Sequence, residues 1–184
     1  MNTKRKAVTA LIILASAVLI CAFVWRVVAV NLKYPAPTLK SYEIGETVRY
    51  LDNYEITVVK SEFLSDDRAD ELFDVENMFP DMEQKFLVVT LKIKNISNEV
   101  QEFAVENLIF QSGAFFNAPM IQGFEALNGW CTLPELSAGE EQLVKLPLNI
   151  SKSRFRDSQW NTITERPFEL VLGLYPEREV LKLQ

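Results

Sequence analysis

Hydrophobic and polar positions fall into three regimes along the chain. Residues 7–25 (AVTALIILASAVLICAFVW) carry no charge. As a helix rising ~1.5 Å per residue they span about 28 Å, against a hydrocarbon layer of about 30 Å. The pattern predicts one N-terminal transmembrane helix over residues 7–30, with Arg26 reaching back to the headgroups, Trp25 in the interfacial belt and Val27, Val28 and Val30 extending the span. Residues 31–40 (NLKYPAPTLK) are polar and contain Pro35 and Pro37, the composition of an extended stalk. From Ser41 onward the period changes to two.

The alternation places Tyr54, Ile56 and Val58 on one face of a strand, and Leu87, Val89, Leu91 and Ile93 on one face of another. Val144, Leu146, Leu148 and Ile150 form a third such row, and Phe168, Leu170, Leu172 and Leu174 a fourth. Pro147 falls on the outer face of the third row and lacks an N–H, so that strand is expected at an edge or bulged. Turn residues at Asp52-Asn53, Ser97-Asn98, Ser112-Gly113, Ala138-Gly139 and Pro176-Glu177 separate the runs. Weaker runs at residues 47–51, 101–104, 108–111 and 180–183 bring the expectation to seven to nine short strands. The fold class is all-β: an immunoglobulin-like antiparallel β-sandwich over residues 41–184, preceded by the transmembrane helix.

Two segments interrupt the β pattern. Residues 65–84 hold eight acids and one base, Arg68, and their first half suits a short helix ending before Pro80. Asp66, Asp67, Asp70, Glu71 and Asp74 are candidate oxygen ligands for a divalent cation, although their spacing lacks the glycine and terminal Glu of an EF-hand loop. The plainer expectation is a solvated acidic loop. Residues 114–136 are unusually apolar for a connection, and Phe115, Phe116, Phe124 and Trp130 are candidate partner-binding residues, with burial as a lid over the sandwich as the alternative. Trp160 is expected to plug the core or an open end of the sandwich.

Composition narrows the chemistry. The 184 residues include no histidine, which removes Ser-His-Asp and Cys-His arrangements and His-based zinc sites. No Gly-rich phosphate loop is present, no cofactor is implied, and the chain is expected not to be an enzyme. A hydrolase working through two of the 25 acids stays open in principle, though no spacing singles out a pair.

Charge sets topology and partners. Lys4, Arg5 and Lys6 place residues 1–6 in the cytoplasm by the positive-inside rule, and the rest of the chain outside. A cleaved signal peptide is the rival, since Ala15-Ser16-Ala17 has the small-x-small pattern, but cleavage there leaves VLICAFVW on the mature chain. A lipid anchor on Cys21 is disfavoured by bulky Ile20 before it. Beyond the anchor, 15 cations face 25 acids, about −10, which disfavours nucleic acid as a partner. The expected partners are the lipid bilayer, through the N-terminal helix, and another envelope protein. Cys131 is then alone outside, so the domain does without disulfides, as suits a bacterial envelope protein.

The run KFLVVTLKIKNISN over residues 85–98, a β-rich stretch ending in Lys94, Asn95 and a Ser/Asn turn, resembles the central strand and turn of telokin-like, immunoglobulin-like domains in exported proteins of Gram-positive bacteria. Leu136-Ser137-Ala138-Gly139-Glu140 and the strand to Ile150 resemble that family's Gly-Glu turn and following strand, with Ala138 where proline is commoner. The resemblance implies a lipid- or helix-anchored domain with no catalytic residues to carry over. Its acidic insertion and aromatic segment depart from the family pattern and are where a ligand site is expected.

Overall fold

A computed structural model describes residues 3–129 and 134–184, so Trp130 and Cys131 lie outside the described residues. The chain forms two units, residues 1–38 and 39–184. The first is dominated by helix α1, Thr3–Lys33, of which Ala7–Lys33 is long and apolar enough to cross a membrane. The helix continues past residue 30 and a strand begins at Thr38, so the non-helical connection is shorter than the 31–40 stretch read as a stalk.

The second unit is a β-sandwich with eleven strands among the described residues, in sheets of five, four and two. The four-stranded sheet has the order β2 (Thr47–Tyr50), β3 (Tyr54–Phe63), β4 (Gln84–Asn95), β9 (Glu141–Ser151). Facing it, the five-stranded sheet runs β1 (Thr38–Tyr42), β11 (Glu177–Lys182), β10 (Glu169–Gly173), β6 (Ile109–Ser112), β7 (Phe115–Asn117). The third sheet pairs β5 (Gln101–Glu102) with β8 (Glu135–Leu136). The count exceeds the expected seven to nine because β7 and β8 are two or three residues long, too short to show alternation, and β1 is exposed along most of its length.

Side-chain period explains the core. Ile56, Val58, Leu87, Val89, Leu91, Ile93, Val144, Leu146, Leu148 and Ile150 all point inward and are buried against Phe110, Phe168, Leu170 and Leu181 of the opposite layer. A bulge in β3 between Val58 and Lys60 inserts the exposed Val59, which shifts the inward set by one residue to Ser61 and Phe63 and keeps them opposite Val89 and Leu87. The fourth expected row ends early, because β10 stops at Gly173 and Leu174 is exposed.

The outer face of the four-stranded sheet is only partly wet. Helices α2 (Asp66–Phe73), α3 (Val75–Met78) and α4 (Ile121–Asn128) belong to the two segments that interrupt the alternation. Ala69 and Phe73 of α2 and Met120 before α4 pack on Phe86 of β4, forming a second small core. The acidic segment is therefore a capped amphipathic helix, not a solvated loop: Ser65 Oγ accepts from Arg68 N at 3.3 Å, and Ala69, Leu72 and Phe73 share one face. Gly123 makes the contact between helices possible, since a Cβ there would lie 2.2 Å from Met120 Cε and 2.9 Å from Phe73 Cε1.

As Pro147 indicates, β9 is an edge strand, and its edge is covered. Met120 N donates to Pro147 O at 2.7 Å, Asn117 Nδ2 to Asn149 O at 3.3 Å, and the Asn128 carboxamide pairs with both N and O of Lys145 at 2.8 Å. At the other end of β4, Asn95 is fully buried and its carboxamide joins two turns. Nδ2 donates to the carbonyls of Glu99, Leu136 and Ser137, while Oδ1 accepts from Ser97 N and Oγ. Asn95→Ala leaves those carbonyls facing an apolar gap, and is expected to cost roughly 2–3 kcal/mol in denaturant unfolding, whereas Asn98→Ala on the same turn stays within about 0.5 kcal/mol.

Candidate functional site

The Ser112–Phe115 hairpin turn and the 152–166 segment together build a cleft of about 480 Å3, lined by Ala114, Phe115, Phe116, Asn117, Arg154, Phe155, Gln159 and Arg166. Its floor is aromatic. The Phe115 ring lies 5.1 Å from that of Phe155 and 6.3 Å from that of Phe168, which belongs to the main core. Phe116, the next residue of the same strand, points the other way and is 72% exposed.

Arg166 is held in place from below. Its Nε donates to Ser112 Oγ at 2.9 Å, its Nη2 to Ser112 O at 3.1 Å, and its guanidinium stacks 5.5 Å from the centre of the Phe155 ring. Buried Ser112 in turn donates to Pro167 O at 2.6 Å. Gly113 leaves room for this arrangement: its φ of +59° suits glycine, and a Cβ there would come within 3.0 Å of Arg166 Nη2. Arg154 is exposed, and among the described residues no acid lies within ion-pair distance of it.

Trp160 lines a second cleft, of about 360 Å3, together with Phe86, Ala69, Val75, Asp66, Asp70, Glu76, Glu83 and Lys85. Here the expectation for Trp160 is met: the indole is buried in the main core, with Nε1 donating to Glu83 Oε2 at 3.2 Å. Glu83 also accepts from Lys152 Nζ at 2.6 Å, and that hydrogen bond holds its carboxyl below the usual range. The same bond raises the Lys152 ammonium.

The expected partner-binding residues divide. Phe115 and Phe116 reach the first cleft, whereas Phe124 is fully buried in the main core because α4 turns it inward over the sandwich. Trp130 lies outside the described residues. The acidic candidates do not converge. Asp66 pairs with Lys85 at 2.6 Å, Glu71 with Arg68, and Asp74 with Asn77 at 2.9 Å, while Asp67 and Asp70 stay on the exposed surface of α2. Among the described residues no three acids or cysteines are grouped as metal ligands; Asp66 and Glu71 are each drawn into an ion pair and Asp74 into a hydrogen bond instead. Arg154, Phe155, Gln159 and Arg166 were missed from sequence. The available signal was Arg154-Phe155-Arg156, a basic-aromatic run in a strongly acidic chain.

Two outcomes follow from this geometry. Phe115→Ala removes part of the floor and is expected to lower stability by about 2–4 kcal/mol, while Phe116→Ala changes it by less than about 0.5 kcal/mol, as read by thermal melting. For Glu83 the folded carboxyl titrates below the ordinary 4.5, so its contribution is complete above that value and disappears as pH falls through the lowered one. The difference in melting temperature between the native chain and Glu83→Gln should therefore shrink on acidification below pH 4.5; a difference independent of pH would refute the assignment.

Comparison with known proteins comes down to fold and family. An uncharacterised β-sandwich protein of Clostridium difficile is 13% identical, with a TM-score of 0.49 over 80% of this chain and 96% of that one. The yjhA protein of Bacillus subtilis is also 13% identical, with a TM-score of 0.49 over 78% and 99%. A conserved hypothetical protein of Bacillus anthracis is 15% identical, with a TM-score of 0.46 over 76% and 94%. No curated protein sequence matches. The family described as a domain of unknown function, DUF5028, matches residues 39–179, nearly the whole β-sandwich unit, and the chain belongs to that family.

Proposed function

We propose that the protein is a single-pass membrane protein, cytoplasmic at its N-terminus, that presents an immunoglobulin-like, telokin-like sandwich on the outer face of a Gram-positive cell membrane. There it acts by binding another envelope component, without catalysis. The observation that carries this reading is α1: Ala7–Lys33 is an apolar helix, long enough to cross a membrane, whose side chains are almost all exposed, a surface that suits lipid better than water. Cations at residues 4–6 orient it. The sandwich supplies a rigid scaffold, and the cleft around Phe115 and Phe116 supplies a surface on which an aromatic side chain stands bare beside two arginines. The absence of histidine from the sequence favours binding over general base chemistry. The cation-sensor and paired-carboxylate readings have no observation of their own in favour.

The topology is tested with a C-terminal epitope tag. Protease added to intact cells should remove the tag, while a tag on residues 1–6 survives until lysis. Protection of the C-terminal tag in intact cells overturns the reading.

A further inference from the structure

The cleft between β7 and the 152–166 segment differs in charge from the surface around it. Beyond the anchor the chain carries 15 cations against 25 acids, yet this cleft is lined by two arginines and no acid. Arg166 has two donors engaged by Ser112 and its plane fixed on Phe155, so its Nη1 group is set in position without a partner among the described residues. Arg154 likewise has none. Guanidinium forks match carboxylate and phosphate oxygens, and a fixed plane loses less entropy on binding than a free one. Beside them lie the Phe115 and Phe155 rings, and Phe116 is 72% exposed at the rim. A volume of about 480 Å3 suits a single ring or branched aliphatic group with its charged substituent.

We propose that this cleft binds an organic anion: a carboxylate or phosphate joined to an aromatic or aliphatic body, the anion on Arg154 and Arg166 and the body on the phenylalanine rings. The inference rests on reading the domain as a binding module and names the chemistry that module recognises. Binding should weaken as salt is raised, since both arginines are open to solvent on one side.

The test uses the full chain in uncharged detergent, titrated by calorimetry with N-acetylphenylalanine, its neutral amide, and phenyl phosphate. At least one of the two anions should bind saturably, and the amide about tenfold or more weaker. Preference for the first points to a carboxylate source such as a peptide, preference for the second to a phosphate-bearing one. Arg154→Gln, an exposed position, should weaken binding about tenfold or more, and Arg49→Gln, equally exposed but on β2, should leave it unchanged. Failure of both anions to bind, equal binding of the amide, or equal effects of the two substitutions overturns the proposal. Because the titration does not depend on membrane orientation, its failure with an external C-terminal tag removes the ligand class and leaves the envelope module standing. A protected tag removes the topology whatever the cleft binds.

Discussion

Burial of both faces of β4 is the constraint on which the domain depends. A strand in a two-layer sandwich needs one apolar face, and Leu87, Val89, Leu91 and Ile93 provide it. Phe86 and Val88 are apolar on the opposite face as well, and both are buried. Leaving two such side chains in water forgoes about 1.5–3 kcal/mol each, so the sheet needs a roof. Helices α2 and α4 are that roof, and their close approach at Gly123 is set by the same packing. The acidic insertion is thus part of the fold; its carboxylates face outward because Ala69 and Phe73 face inward.

Edges decide where the molecule is closed and where it is open. Strand β9 has its outer carbonyls from 145 to 149 satisfied by Asn117, Met120 and Asn128, which blocks addition of a further strand there. The edge at β7 is limited to three residues, and the aromatic side chains it carries split between floor and rim. The 152–166 segment then folds beside it, with Phe155 and Trp160 continuing the core outward. A cleft forms because the hairpin is short and its neighbour is bulky.

Charge is distributed unevenly over this frame. Most of the sandwich's ion pairs are exposed, as between Lys60 and Glu62 or Lys182 and Glu43, and such pairs add little to stability. They do consume cations. Arg154 and Arg166 stand apart from them, one facing solvent and the other tied to a serine, so the cleft keeps positive charge in an acidic protein.

The sequence by itself determined the apolar N-terminal helix, the four alternating rows and their turns, the edge position of β9 and the inward Trp160, since each is a local matter of period, proline chemistry or hydrophobicity. It also marked Phe115 and Phe116 as unusual. Tertiary structure alone decided that Phe124 is core while Phe116 is bare, that Phe86 needs a roof, and that the acidic residues of 66–74 disperse. It also brought Arg154 and Arg166 to a hairpin roughly forty to fifty residues earlier in sequence, beside β7 at the end of its sheet. The physical reason is that period tells which residues share a face, but what covers that face depends on contacts between segments far apart in the chain, and no local pattern encodes them.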